Sequence, residues 1–101
     1  MLDGNKINEI LLNDEFIVNG HPFKRWTNKR WPADKWAWIH EGAKVLVFLR
    51  YNDIIDIRRN FCRGCNDVQD KGFYDVLVKR KFDDYEKVRK EILSVVRYVS
   101  E

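Results

Sequence analysis

The sequence predicts a small α+β domain, in which one antiparallel sheet of five or six strands is covered by a long C-terminal helix. Three observations support this fold class. Residues 83–99 carry an apolar stripe at helical spacing, Asn19-Gly20 stands between apolar residues as in a hairpin turn, and several β-rich stretches are joined by short polar segments. The 101 residues, of which 45% are hydrophobic, suffice for one domain with one core, spanning 1–101.

The N-terminal part is predicted to form a short helix followed by a hairpin. Three apolar residues stand at helical spacing: Ile7, Ile10 and Leu11. Residues 5–12 are therefore expected to be helical. Asn19 and Gly20 both tolerate positive φ, as a two-residue hairpin turn requires, and this predicts strands near 15–18 and 21–26.

Four further strands are predicted from β-rich stretches bounded by polar turn residues. They lie at residues 36–40, 45–51, 54–59 and 74–82. Residues 45–51 are apolar on both faces, so this stretch is expected to form a central strand. Residues 74–82 alternate apolar with charged side chains, which indicates a half-buried strand.

The C-terminal helix has the clearest pattern in the chain. Six apolar residues form one continuous stripe: Tyr85, Val88, Ile92, Val95, Val96 and Val99. Asp83 or Asp84 is expected to cap the first turn, where the helix dipole favours a carboxylate. The stripe is expected to lie across the sheet.

A curled sheet closed at one end by a terminal helix is similar in outline to a pleckstrin-homology-like barrel. This resemblance covers residues 45–99 and depends on the order of the elements alone. The chain shows no motif specific to that family, so the resemblance implies an outline of the fold and assigns no functional residue.

Positive charge and tryptophan are concentrated in the same part of the chain. The stretch 21–38 contains all four tryptophans and five bases, with Asp34 as its only acid. Residues 21–44 have a net charge of +4, whereas residues 1–20 have a net charge of −3 and the whole chain +3. This combination is typical of a cationic surface that carries aromatic platforms.

Such a surface predicts a nucleic-acid-binding protein, because bases contact phosphates and exposed indole rings stack on nucleobases. The predicted binding residues are Lys24, Arg25, Trp26, Lys29, Arg30, Trp31, Lys79 and Lys81. Trp26 and Trp31 flank a loop and are expected to be exposed. Trp36 and Trp38 stand two apart in one strand, so they share a face and are expected to pack inward.

A protein partner is the alternative, since tryptophan and arginine also dominate the hot spots of protein interfaces. The chain then resembles in size and simplicity the small accessory proteins of phages and mobile elements that inhibit or modulate a host protein complex. Lys79 and Lys81 are expected on the outer side of their strand. Bases there also have a structural explanation, because they keep an exposed strand from pairing with other chains.

Catalysis and cofactors are not expected. The sequence has no nucleophile-elbow serine and no glycine-rich phosphate loop. The weaker alternative is a metal site built from Cys62, Cys65, His21 and His40. The two histidines are single and nineteen positions apart, unlike the paired ligands of a zinc finger, so we expect no metal.

The expected location is the cytoplasm, with nucleic acid or a host protein as the partner and no membrane. No apolar run approaches the length that spans a bilayer, and the first residues lack a basic leader. Two cysteines three apart do not form the disulfide framework of a secreted domain.

Overall fold

The computed structural model describes residues 1–26, 36–60 and 74–100. The described helices and strands are, in chain order, α1 (Gly4–Leu11), β1 (Phe23–Arg25), β2 (Ala37–His40), β3 (Val45–Leu49), β4 (Ile54–Asn60), β5 (Tyr74–Lys81) and α2 (Tyr85–Ser100). Two short 3₁₀ turns, Asp14–Phe16 and Tyr51–Asp53, lie between them. The predicted α+β fold class is confirmed.

The sheet is an antiparallel meander in which each described strand pairs with its neighbours in sequence. β3 is the central strand, and Val45, Leu46, Val47 and Phe48 are buried on its two faces, as the apolar run predicts. β1 and β5 form the two ends of the described strand order. The described strands therefore make an open sheet, which differs from the closed barrel outline that the element order resembles.

The segment 15–18 does not form the predicted strand. Asp14–Phe16 is a 3₁₀ turn, capped by Asn13, whose side-chain oxygen accepts the Glu15 N–H at 3.1 Å. A local side-chain hydrogen bond of this kind competes with strand pairing. The predicted turn is nevertheless present, with positive φ at positions 19 and 20 and a single bridge between Val18 and His21.

α2 packs its apolar stripe on one face of the sheet, as predicted. Val88, Ile92 and Val96 are buried in the main core, which also receives α1 and the inward side chains of the strands. The helix begins at Tyr85, and the Asp84 carboxylate accepts the Glu86 N–H at 2.8 Å. Neither of the described helices is long and apolar enough to cross a membrane.

Candidate functional site

Strand alternation divides the predicted binding residues between the two faces of the sheet. Residues opposite each other in an antiparallel pair share a face. Arg25 lies opposite the core residue Trp38 and is therefore on the face that the helices cover, whereas Lys24 lies opposite Ile39 on the other face. Lys24, Arg25 and Trp26, which are neighbours in the predicted binding surface, thus cannot all contact the same ligand.

The face away from the helices is here called the outer face. By pairing register, and among the residues whose side chains the structure describes, it comprises Lys24, Trp26, Ala37, Ile39, Leu46, Phe48, Arg50, Ile54, Asp56, Arg58, Val76, Lys79 and Lys81. Five of these residues are bases, and one, Asp56, is an acid. The outer face is therefore predominantly cationic around an apolar centre.

Trp26 belongs to the apolar centre of the outer face, and the prediction that it is exposed is wrong. Only 9% of its surface is accessible, and it clusters with Ala37, Ile39, Leu46 and Phe48. Its ring meets that of Phe48 edge to face, with centroids 5.8 Å apart. The indole Nε1 is buried and has no hydrogen-bond partner among the residues that the structure describes. A ring packed in this way is not available to stack on a nucleobase.

Trp36 and Trp38 attach α1 to the opposite face of the sheet. Their rings are stacked, with centroids 6.2 Å apart, and the Arg25 guanidinium lies 4.3 Å from the centre of the Trp36 ring. The Trp38 indole donates a hydrogen bond to the Asn8 side-chain oxygen at 2.9 Å. A Cβ on Gly4 would lie 2.1 Å from the Trp36 ring, so α1 contacts this indole directly. The inward orientation predicted for this pair is confirmed for Trp38, which is fully buried, and Trp36 is half-buried.

A buried carboxylate organises two arginines on the outer face. Asp56 is fully buried and accepts two hydrogen bonds from Arg58, at 3.2 and 3.1 Å. The Arg50 Nε lies 3.6 Å from the same carboxylate. The Arg50 and Arg58 guanidinium groups also lie 4.2 and 5.7 Å from the centre of the Phe48 ring.

This arrangement was not included in the surface predicted from the sequence. The spacing of Asp56 and Arg58, two apart in one strand, places both on one face and was the available signal. Arg50 comes close to Asp56 only because β3 pairs with β4, so this contact could not be predicted from the spacing within one strand.

Lys79 and Lys81 lie on the outer face and are exposed, as alternation predicts. Lys79 is opposite Asp56, and Lys81 is opposite Ile54. Lys24 is exposed at the other end of the sheet, with its ammonium group 3.6 Å from Glu41. Four interstrand spacings of about 4.8 Å separate β1 from β5, so the bases span roughly 19 Å.

The remaining predicted residues lie outside the described part of the chain. These are Lys29, Arg30 and Trp31 of the binding surface, and Cys62 and Cys65 of the weaker metal alternative. The structure therefore leaves their predicted roles as predictions.

His40, which the metal alternative includes, is a structural residue. Its Nε2 lies 2.7 Å from the Phe16 carbonyl oxygen, and its Nδ1 accepts the Ala43 N–H at 3.0 Å. Because Nδ1 accepts, the neutral ring carries its proton on Nε2 and donates it to the carbonyl. Both ring nitrogens are engaged by the backbone, so His40 has no free position for a metal, and its inclusion among the ligands is corrected.

We expect the free energy of unfolding to fall as the pH is lowered through the ordinary pKa of histidine, about 6.5. Burial lowers the pKa of His40, so the native state takes up this proton less readily than the unfolded state does. The stabilisation is therefore complete above that pH and is lost below it. Urea unfolding between about pH 7.5 and 5.5 measures the effect.

His40→Gln should flatten this pH dependence, because glutamine does not titrate. His21→Ala is the matched control, since His21 is exposed and its charge lowers the pKa of His40 less than burial does, so this variant should retain most of the dependence of the parent. A slope that is equal in the parent and in His40→Gln would show that another group is responsible.

Comparison with known proteins provides no relative from which a function could be assigned to the outer face. No family model, no curated protein and no solved structure matches the chain. The resemblance to a pleckstrin-homology-like barrel is thus not supported by a matching solved structure. A functional proposal has to depend on the geometry and charge of the described residues.

Proposed function

We propose that the protein is a non-enzymatic binding protein whose outer face contacts the phosphates of nucleic acid. The observation that supports this proposal is the set of bases on one side of the sheet. Lys24, Lys79 and Lys81 are exposed there, and Arg58 is half-buried on the same face. Side chains two apart in a strand project from one face at a spacing of about 6.7 Å, so Lys79 and Lys81 present adjacent charges to the same backbone.

The proposed contacts are mainly electrostatic and independent of base sequence. Phosphate contacts position a protein on nucleic acid without reading its sequence. Trp26 is buried and Trp36 and Trp38 hold α1, so none of these indoles is offered for stacking. Tyr51 is 83% exposed and follows Arg50 directly, so we propose that its ring stacks on an unpaired base. Lys29, Arg30 and Trp31 remain part of the proposed surface on the grounds of their sequence.

We expect the double variant Lys79→Ala, Lys81→Ala to bind oligonucleotides more weakly, by a similar factor for every base sequence. Each neutralised phosphate releases condensed counterions, so loss of two contacts should flatten the logarithmic salt dependence by about two units at most. The measurement is fluorescence anisotropy of labelled single- and double-stranded oligonucleotides over a series of salt concentrations.

The matched control is Lys87→Ala with Lys90→Ala, which removes the same charge from exposed positions on α2. This control should keep nearly all of the affinity and the salt dependence of the parent. Equal losses in both double variants would indicate attraction by net charge alone. Absence of binding at low salt would contradict the proposal.

A protein partner is the second candidate, and the exposure of β5 favours it. The residues of this strand whose side chains are described are all at least partly accessible. A pull-down of the tagged protein with and without nuclease treatment separates the two candidates, because only a protein complex should survive the nuclease. The proposed location is the cytoplasm, where both kinds of partner are accessible.

A further inference from the structure

β5 is a long strand at the end of the described sheet. It spans eight residues and pairs with β4 along one side, and no other described strand pairs with its second side. Of its side chains that the structure describes, five are exposed: Asp75, Val76, Lys79, Arg80 and Lys81. The edge strand is thus accessible along most of its length, in contrast to the buried strands β2 and β3.

The backbone groups of Lys79 and Lys81 point away from β4. The Phe82 N–H donates to the Asp53 carbonyl at 3.0 Å, so Phe82 and Asp53 are a hydrogen-bonded pair at this end of β4 and β5. Bonded and non-bonded pairs alternate along antiparallel strands, so the next residue, Lys81, is in a non-bonded pair with Ile54. The same alternation places Lys79 in a non-bonded pair, and both lysines present their N–H and C=O groups to the open edge.

Val76 presents its backbone groups to the same edge. The register shifts between Ile57 and Arg58, after which Arg58 lies opposite Val76. The Arg50 N–H donates to the Ile54 carbonyl at 2.8 Å, so the backbone groups of Ile54 point toward β3. Every second residue of β4 repeats this orientation, and Arg58 therefore also directs its backbone groups toward β3. Val76 is consequently in a non-bonded pair with Arg58. Its side chain is 47% exposed on the outer face.

We propose that the open edge of β5 binds an extended acidic segment of another protein, which adds to the sheet as a further strand. Backbone hydrogen bonds to Val76, Lys79 and Lys81 would give affinity, and alternate side chains would give specificity. Residues of the added strand that lie beside the two lysines share the outer face with them, so carboxylates are favoured there. An apolar side chain is favoured beside Val76.

The positive charges on β5 favour an acidic strand over a second copy of this chain as the partner. A second copy of this chain that paired edge to edge would bring like charges together in any register that sets Lys79 or Lys81 opposite another lysine, and like charges on neighbouring strands are destabilising. An acidic strand removes this repulsion and replaces it with ion pairs. The inference goes beyond the phosphate contacts proposed above, because strand addition requires backbone donors at the edge, whereas phosphate contacts require only the lysine side chains.

The test uses a short synthetic peptide of alternating glutamate and threonine that ends in valine. We expect it to bind, to shift the amide resonances of β5 and to slow hydrogen exchange at Lys79 and Lys81. Val76→Pro removes an outward N–H without altering charge, a change that edge strands tolerate. We expect this variant to bind the peptide roughly tenfold more weakly, whereas Val76→Thr, which keeps the N–H, should bind within about twofold of the parent.

A second measurement leaves the protein unchanged. Methylation of peptide nitrogens that face β5 should weaken binding, whereas methylation of the alternate nitrogens should not. Equal binding by all of these peptides, or equal binding when lysine replaces glutamate, would overturn the inference. Oligonucleotide binding should be the same in Val76→Pro as in the parent, so failure of strand addition and failure of the phosphate contacts are distinguishable.

Discussion

Replacement of Trp38 by alanine is expected to lower the free energy of unfolding by about 3–5 kcal/mol. Trp38 is fully buried on the helix-covered face, it stacks on Trp36, and its indole N–H bonds to Asn8 of α1. The variant therefore loses a large apolar contact and leaves the Asn8 amide without this partner. Small domains have a total stability of about 5–15 kcal/mol, so urea unfolding should show a large decrease in the midpoint.

Trp38→Phe separates the two contributions, because it keeps an aromatic ring and removes the indole donor. We expect it to cost less than Trp38→Ala. A double-mutant cycle with Asn8→Ala should give a coupling energy on the order of 1 kcal/mol for the hydrogen bond. If Trp38→Ala unfolds at the same urea concentration as the parent, α1 is not held to the sheet by this indole.

Ile92→Ala is expected to lower the free energy of unfolding by about 2–4 kcal/mol. Ile92 is fully buried in the main core and lies at the middle of the α2 stripe. Truncation leaves a cavity between the helix and the sheet that the neighbouring side chains fill only in part. Thermal and urea unfolding measure the loss.

The control for Ile92 is Ser94→Ala on the same helix. Ser94 is exposed, and alanine has the higher helix propensity, so this variant should be as stable as the parent or slightly more so. Similar unfolding of Ile92→Ala and the parent would contradict the docking of α2 on the sheet.

The parts of the fold that sequence predicts well are those in which one local pattern decides the structure. The apolar run 45–49 requires burial on both faces, and the stripe through Val88 and Ile92 fits only a helix on a core. The segment 15–18 is different, because its β-prone residues follow Asn13. The cap made by that side chain stabilises a 3₁₀ turn, and the hydrophobic pattern of the segment contains no information about this hydrogen bond.

The candidate site was predictable only as far as strand alternation reaches. Alternation correctly places Lys79 and Lys81 on the outer side of β5. The exposure of Trp26 depends on whether the outer face has its own apolar cluster, and that cluster forms only when β1, β2 and β3 come together. The meeting of Arg50 with Asp56 likewise requires the pairing of two strands, so no single segment of sequence contains it.

The buried carboxylate of Asp56 has an entropic consequence for the outer face. Arg58 is held by two hydrogen bonds, and Arg50 lies against both the carboxylate and the Phe48 ring. A flexible side chain that is immobilised on association costs roughly 0.5–1.5 kcal/mol, and arginines ordered beforehand avoid most of that loss. The exposed lysines do not share this advantage. In the proposed nucleic-acid complex the arginines would help to fix the orientation of the ligand, while the lysines would contact phosphates and also accelerate its capture from a distance.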